Sequence, residues 1–255
     1  MRPRRLTPAF LEKVWGSAKL APWFPNRDSG KIGEVWFHTP EIPLLVKFLF
    51  TTEKLSVQVH PDDDYARLHH GSCGKTEMWH ILAAEPGAQI AAGFRTPLTE
   101  EQLRKSSLSG EIETLLEWHD ARPGDTFFIP AGTVHAIGKG LALCEIQQHS
   151  DVTYRLYDYG RPRELHLNHG IAVSHRERCQ ARPAPSGHVL VSCEYFVTSR
   201  RTGPHICPSN SLAIVIEGEG RLDGERTVPG DVWHLTEAAG IEGNVTTIET
   251  KTASQ

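Results

Sequence analysis

Short runs of strand-forming residues recur along the first two thirds of the chain, separated by turns rich in glycine and proline. Each run has the length of one strand and is either alternating in polarity or rich in β-branched and aromatic residues. The predicted strands are Leu44–Phe50, Leu55–His60, Glu77–Ala84, Ala88–Gly93, Thr126–Ile129, Leu141–Gln147 and Thr153–Asp158. With 22 glycines and 17 prolines in 255 residues, this pattern predicts an all-β sandwich or barrel.

Three short helices are predicted between these strands. Thr99 and Gln102 form a capping box, which predicts a helix over Glu100–Lys105. Apolar residues at helical spacing predict a second helix over Glu111–Trp118. The acidic run that begins at Asp62 predicts the N-terminus of a third helix, over Pro61–His69, where carboxylates meet the helix dipole.

Three segments carry residues with the chemistry of metal ligands. They are Gln58-Val-His60-Pro-Asp-Asp, Gly74-Lys-Thr-Glu77 and Pro130-Ala-Gly-Thr-Val-His135. In the first segment Gln58 and His60 alternate with valines, so the two polar side chains share one strand face. Two imidazoles, a carboxylate and a carboxamide oxygen suit Zn²⁺ or another borderline divalent ion. The predicted metal ligands are therefore Gln58, His60, Glu77 and His135.

The third segment resembles a motif of the cupin superfamily, small antiparallel barrels that bind a metal inside. The wider pattern resembles type I mannose-6-phosphate isomerases in their short bacterial form, between about Leu11 and His169. The segments that carry the resemblance are Val14-Trp-Gly16, Pro43-Leu-Leu-Val-Lys47, Gln58-Val-His60-Pro-Asp-Asp, Gly74-Lys-Thr-Glu77-Met-Trp, Pro130-Ala-Gly-Thr-Val-His135-Ala-Ile-Gly and Glu145-Ile-Gln-Gln-His-Ser-Asp-Val-Thr-Tyr-Arg155. It implies a double cupin, two antiparallel barrels with a few short helices. Gln58 stands where the first cupin motif normally has a histidine.

The resemblance also implies an activity, the interconversion of mannose 6-phosphate and fructose 6-phosphate through a cis-enediol, with Zn²⁺ or another divalent ion as cofactor. It places Lys75 at the catalytic site as base or proton shuttle, and Arg155 as the cation for the enediolate or the phosphate. Lys47, Lys75 and Arg155 are the cations predicted to bind the substrate. From the residues alone, Lys75 also fits a solvated lysine at a strand end, whereas burying Arg155 requires an anionic partner.

Two other functions stay open on the residues alone. One is an Fe(II) dioxygenase, which also uses two histidines and one carboxylate. The other is a non-catalytic sugar-binding cupin in which the metal only organises the fold. Lys75 and Arg155 argue against the oxygenase, which has no need for them. No metal role is assigned to His69, His70 or His80, and Arg161 and Arg163 are predicted at the surface.

The last third of the chain resembles an eroded repeat of the first barrel. Pro229-Gly-Asp-Val-Trp-His-Leu echoes Pro123-Gly-Asp-Thr-Phe-Phe-Ile, but Asn244 falls near the position that corresponds to His135. The predicted domains are therefore a catalytic domain over residues 1–180, a linker over 181–187 and a second cupin domain over 188–255. The linker is rich in proline and small residues. The second domain is predicted to bind no metal.

Composition and charge argue against some classes of binding partner. The net charge is −4 and no long basic run occurs, so nucleic acid is not an expected partner. No apolar stretch approaches the roughly 20 residues that span a bilayer. The 5 cysteines include no Cys-x-x-Cys, which indicates reduced thiols in a cytoplasmic protein. We expect a monomer or homodimer that acts on a small sugar phosphate.

Overall fold

The computed structural model describes residues 2–25, 30–177 and 187–253. The described chain consists mainly of strands with short helices between some of them, which confirms the predicted all-β class. It divides into two compact units, one formed by Met1–Phe48 with Ala184–Gln255 and the other by Leu49–Pro183. Of the predicted linker, residues 181–186 lie outside the described residues. No described helix has the length and apolar character needed to cross a lipid bilayer.

The discontinuous unit is built from strands at both ends of the chain. Their bounds are β1 Arg4–Arg5, β2 Ala9–Ser17, β3 Ile32–Thr39, β4 Ile42–Thr51, β13 Val189–Ser192, β14 Phe196–Thr202, β15 His205–Cys207, β16 Ser211–Leu222, β17 Glu225–Thr227, β18 Val232–Leu235 and β19 Ala239–Thr252. The last few residues of β4 belong to the other unit. One sheet has the order β1-β18-β16-β19-β14-β13, with β15 on β19 and β17 on β16, and β2, β3 and β4 are neighbours in another.

The N-terminal residues lie with the C-terminal segment because β1 is hydrogen-bonded to β18. Arg4 stands opposite His234 and Arg5 opposite Trp233 in this antiparallel pair. The predicted boundary groups residues 1–48 with the first domain instead. Their grouping in the structure depends on a pairing between strands more than 200 residues apart in sequence, as the hydrogen bond between Arg4 and His234 (|i−j| = 230) shows.

The unit of Leu49–Pro183 contains the remaining strands and the helices. Their bounds are β5 Val57–Val59, α1 Asp63–His70, β6 Glu77–Ala84, β7 Gln89–Phe94, α2 Glu100–Ser109, α3 Ile112–Leu115, β8 Leu116–Asp120, β9 Thr126–Ile129, β10 His135–Ile137, β11 Leu141–Gln148, β12 Tyr154–Tyr157 and α4 Leu167–Val173. One sheet has the order β12-β5-β10-β7-β8, and β11, β6 and β9 are neighbours in the other. Val57 and Val59 are buried in the core against β7 and the helices, as their alternation predicts.

Two predicted strands have the predicted limits, whereas α1 is displaced to Asp63–His70 and α2 extends to Ser109. Strands β6 and β9 begin and end at the predicted residues. Helix α1 begins after Asp62, whose side chain accepts a hydrogen bond from the backbone N–H of Tyr65. Helix α2 begins with the predicted capping box, in which Thr99 and Gln102 each accept from the other's backbone. Local capping chemistry therefore sets both helix starts.

The predicted helix over Glu111–Trp118 was wrong in its second half. Helix α3 ends at Leu115, and Leu116 begins strand β8. This strand pairs with β7, with Leu116 opposite Phe94 and Trp118 opposite Ala91. Leu116 is fully buried there. The partner strand and the packing that it provides outweigh the helical spacing of the apolar residues.

Candidate metal centre

Three buried side chains converge in the unit of Leu49–Pro183. His60 follows β5, Glu77 begins β6 and His135 begins β10, and one ligand atom from each lies within 4.8 Å of the others. His60 Nε2 is 3.5 Å from Glu77 Oε2, and His135 Nε2 is 3.5 Å from Glu77 Oε1. A tetrahedral ion with nitrogen and oxygen ligands at about 2.0–2.1 Å separates those ligands by about 3.4 Å. The spacing therefore fits one zinc-sized ion.

The outer nitrogen of each imidazole is held by a backbone carbonyl. His60 Nδ1 donates to the oxygen of Val152 at 3.0 Å, and His135 Nδ1 donates to the oxygen of Thr133 at 2.8 Å. Both Nε2 atoms therefore direct a lone pair at the centre, as a metal ligand requires. Burial lowers the pKa of His135 to about 4, so at neutral pH this ring is in the uncharged form that binds metals.

Gln58 joins the centre through a row of residues that crosses three strands. It stands opposite His135 of β10 on one side and opposite Arg155 of β12 on the other. Directly opposed residues of antiparallel strands point to the same face, so all three side chains belong to the metal-facing side. Gln58 Nε2 lies 3.3 Å from His135 Nε2. A half-turn of the amide would place its oxygen there as a ligand.

Lys75 lies among the candidate ligands, as the sequence predicts. Its ammonium nitrogen is 2.9 Å from His60 Nε2 and 2.9 Å from Glu77 Oε2. The side chain is buried, so its contacts with these two groups are little screened by water. Lys75 is therefore not the solvated strand-end lysine that the residues alone also allowed.

Arg155 offers a donor that the described protein does not use. Its Nη1 donates to the backbone oxygen of Glu164 at 2.8 Å, whereas its buried Nε has no hydrogen-bond partner in the described chain. Burial, and next the neighbouring Arg163, lower the pKa of Arg155 from its ordinary value. A half-buried guanidinium with an unused donor favours the binding of an anion at this position.

The remaining predicted cations have different environments. Lys47 is buried on β4 with Nζ 4.8 Å from the centroid of the Trp36 ring. The prediction that Arg161 and Arg163 are surface residues holds only in part, because their side chains are 17% and 36% exposed and both pair with Asp158. Arg161 Nη2 lies 2.8 Å from Asp158 Oδ1, and Arg163 Nε lies 2.5 Å from Asp158 Oδ2. The Asp158 carboxylate is buried, so it draws both arginines towards the interior.

The histidines assigned no metal role lie outside the cluster. His80, whose strand parity differs from that of Glu77, lies with Nδ1 2.9 Å from the hydroxyl of Thr126. His70 Nε2 is 2.6 Å from the Tyr154 hydroxyl, and His69 is exposed. The parity argument therefore separates His80 correctly from the ligands.

Trp79 and Glu145 support the site and were not predicted to do so. The Trp79 ring meets the His135 ring edge to face, with centroids 5.4 Å apart. Its Nε1 donates to Glu145 Oε2 at 3.0 Å, from the strand position directly opposite. Trp79 lies two residues after Glu77, so strand parity already places it on the metal-facing side. The position of Glu145 depends on the register between β6 and β11.

Comparison with known proteins extends the resemblance along the chain, although no model of a protein family matches it. The chain is 34% identical to mannose-6-phosphate isomerase ManA of Bacillus subtilis (strain 168) over 288 residues, which covers 89% of this chain and 90% of that protein. The crystal structure of mannose 6-phosphate isomerase from Bacillus subtilis matches with a TM-score of 0.85 and 30% identity, over 98% of this chain and 99% of that one. A zinc-bound mannose 6-phosphate isomerase shares the fold, with a TM-score of 0.76 and 16% identity over 99% and 100%.

Proposed function

Because the chain belongs to the mannose-6-phosphate isomerase family, we propose that it interconverts mannose 6-phosphate and fructose 6-phosphate through a cis-enediol. Family membership favours this activity over an Fe(II) dioxygenase or a non-catalytic sugar-binding cupin. The observation that carries the proposal is the row of His135, Gln58 and Arg155 across three strands. This row supports the proposal, because it would bring the Arg155 cation next to the residues proposed to hold the metal.

The donor set of this site fits Zn²⁺. Nitrogen and oxygen donors on buried side chains suit a borderline divalent ion, and the two imidazoles have their lone pairs directed inward. The residues that would hold the ion are Gln58, His60, Glu77 and His135. When bound, the ion supplies a Lewis acid that polarises the substrate oxygens.

Lys75 is the proposed base or proton shuttle. From the open-chain aldose, the base removes the proton on C2, the electron pair of that bond forms the C1=C2 double bond, and the C1 carbonyl pair moves to its oxygen, which takes up a proton to give the enediol. The same proton, or one from solvent, is then delivered to C1, while the hydroxyl on C2 loses its proton and becomes the carbonyl. Glu77 Oε2 lies 2.9 Å from Nζ, which would hold the Lys75 amine beside the metal-binding residues, whereas His60 Nε2, the other neighbour of Nζ, would turn to the ion when it binds.

Arg155 is proposed to bind the negative charge of the substrate. The charge develops on the carbonyl oxygen as the enediolate forms, and the phosphate carries charge throughout. The unused Nε donor of Arg155 and its position opposite Gln58 support contact with one of these anions. A preorganised cation at a developing charge stabilises the transition state more than the ground state.

The activity is tested by incubating the zinc-loaded protein with fructose 6-phosphate or with free fructose in heavy water. We expect aldose to form from the phosphate ester and not from the free sugar. The mannose 6-phosphate formed should carry deuterium at C2, because the proton passes through an exchangeable base. Failure to form aldose from fructose 6-phosphate would refute the proposal. Equal conversion of free fructose would show that the enzyme does not require a phosphate group on its substrate.

We place this enzyme in the cytoplasm. The cysteines that the structure describes, Cys73, Cys144, Cys193 and Cys207, are free thiols, and Cys179 lies outside the described residues. Free thiols are typical of a reducing compartment.

A further inference from the structure

A second cluster of metal-ligating side chains lies in the unit formed by Met1–Phe48 and Ala184–Gln255. It consists of His205 and Cys207 of β15 and Glu249 of β19, whose ligand atoms lie within 4.8 Å of one another. We propose that these residues bind a Zn²⁺ ion or a similar borderline divalent ion. The proposal replaces the prediction that the second cupin domain binds no metal, and it is independent of the proposed function.

The geometry of the strands directs the three side chains towards the core of this unit. His205 and Cys207 are two residues apart on β15, so they share a strand face, as Gln58 and His60 do in the first site. Glu249 stands opposite Ala213 of β16, and Ala213 and Cys207 belong to the same buried apolar cluster. The cluster therefore lies within the core of this unit, where a carboxylate requires a compensating positive charge.

Arg201 is the cation near Glu249 in the described chain, and it contacts one of the two carboxylate oxygens. Arg201 Nε is 3.7 Å from Oε2, and the Arg201 side chain is 44% exposed. The other oxygen, Oε1, faces His205 and Cys207. A divalent ion bound by one thiolate, one carboxylate and a neutral imidazole forms a set without net charge, which a buried position favours.

Two of the three ligand-to-ligand distances already match a tetrahedral site. Cys207 Sγ is 3.5 Å from Glu249 Oε1 and 3.7 Å from His205 Nε2. An ion with sulfur at about 2.3 Å and nitrogen or oxygen at about 2.0–2.1 Å separates such ligands by about 3.5 Å. His205 Nε2 and Glu249 Oε1 are closer, at 2.5 Å. An ion that replaces the proton between them has to move them apart by about 1 Å.

The orientation of His205 is that of a metal ligand. Its Nδ1 donates to the backbone oxygen of Gly203 at 2.7 Å, so an uncharged ring directs the Nε2 lone pair at the cluster. Thr247 lies on the same face of β19 as Glu249, and its hydroxyl donates to Glu249 Oε1 at 3.0 Å. This bond orients the carboxylate. The Cys207 thiol would lose its proton on binding the ion, because the thiolate is the form that coordinates metals.

The proposed ion is structural. Its ligands come from β15 and β19, which are paired through Cys207 and Ala239, and none of them contributes to the site around His135. Binding only to the folded state would stabilise this unit by mass action.

Cobalt distinguishes the two sites because only the second one offers a thiolate. We expect Co²⁺ added to metal-free protein to give a thiolate-to-cobalt charge-transfer absorption, and Cys207→Ser to lack it. Cys193→Ser is the matched control: Cys193 is also partly buried in this unit, with Sγ 3.5 Å from the Phe196 oxygen, and should keep the band. Zinc content should be about two ions per chain in the wild type and about one in Cys207→Ser.

Two further variants separate this proposal from the proposed function. His135→Ala removes the first site and should keep the thiolate absorption. Cys207→Ser, in which serine fills nearly the same space, should keep the isomerase rate while losing the second ion. No thiolate absorption in the wild type, or the same band in Cys207→Ser, would overturn the proposal. His205 and Glu249 would then form a plain ion pair, with Cys207 donating a hydrogen bond to the carboxylate.

Discussion

The unused donor on Arg155 separates it from its neighbours. Arg161 and Arg163 form ion pairs with the buried Asp158 carboxylate, so a carboxylate of the protein compensates their positive charges. Arg155 Nη1 meets only a backbone carbonyl, and Nε meets no acceptor in the described chain. Arg155 therefore keeps a donor that the described protein does not use, which supports the proposed contact with an anionic ligand.

Replacing Arg155 by lysine keeps the charge and removes the planar fork of donors. We expect kcat for fructose 6-phosphate to fall about 10²-fold or more, as for the loss of one preorganised electrostatic donor. Zinc content and melting temperature should stay close to those of the wild type. Arg104→Lys, at a partly exposed helix position, is the control and should keep its rate. Wild-type kinetics in Arg155→Lys would make Arg155 a structural residue.

Removing either imidazole should empty the first metal site. We expect His60→Ala and His135→Ala each to lose about one zinc ion per chain and to lose activity, as measured by metal analysis and isomerase assay. Free Zn²⁺ at a thousand times its Kd stabilises the folded state by about 4 kcal/mol, so chelation should also lower the melting temperature of the wild type. The exposed His69→Ala is the control. Full zinc content in both variants would rule out the site.

At the scale of single elements, the chain could be predicted where a local signal decides the structure. Strand β6 follows from its short apolar run of strand length, and α2 from its capping box at Thr99. Strand β8 could not be predicted, because Leu116 and Trp118 also fit a helix, and only pairing with β7 makes them a strand. The predicted ligands Gln58 and His60 could be placed together for a related reason, because they alternate with valines on one strand whose faces are readable from its own sequence.

Helix α1 and the loop after it position Lys75 through one carboxylate. Asp63 Oδ1 accepts from the backbone N–H of Gly74 at 2.7 Å and from Gln148 Nε2 at 2.9 Å. We expect Asp63→Ala to lower the unfolding free energy by about 2 kcal/mol, since bonds to a charged group contribute about 1.5–3 kcal/mol. It should also reduce kcat by releasing the loop, which denaturant titration and kinetics would measure.

Asp64→Ala provides the matched control on the same helix. Asp64 is 94% exposed and pairs with Arg67 at 3.0 Å, an interaction worth about 0–1 kcal/mol. Its stability and rate should therefore stay near those of the wild type. Equal effects of the two substitutions would show that the bonds of Asp63 do not hold the loop.

At the scale of the whole molecule, the sequence does not disclose contacts that depend on distant strands. Strand β1 near the N-terminus pairs with β18 near the C-terminus, and neither strand carries a sequence motif that identifies the other as its partner. The cluster of His205, Cys207 and Glu249 is a second example. His205 and Glu249 are 44 residues apart in sequence. In the repeat of the first motif, the position that corresponds to His135 is near Asn244, and nothing in that motif points to Glu249. Which distant strands pair depends on side-chain packing that no local pattern discloses.

Deletion of the residues after Pro185 tests how far the N-terminal strands depend on the C-terminal segment. The deletion removes β18, to which β1 is paired, and the Ile216 carbonyl that accepts from the buried Trp23 indole at 2.9 Å. The backbone N–H of Leu6 also loses its acceptor, the oxygen of Val232 at 2.8 Å. We therefore expect fragment 1–185 to expose apolar surface and to aggregate on expression.

The control for this deletion is a chain that lacks only residues 254–255. It retains every described strand and should be as soluble and as active as the full protein. Solubility is measured by the fraction of each chain in the supernatant, and folding by its unfolding transition. A soluble and fully active 1–185 fragment would contradict the prediction, because β1 and Trp23 would then be stable without the partners that the structure gives them. In that case the C-terminal segment would fold on the N-terminal strands without stabilising them.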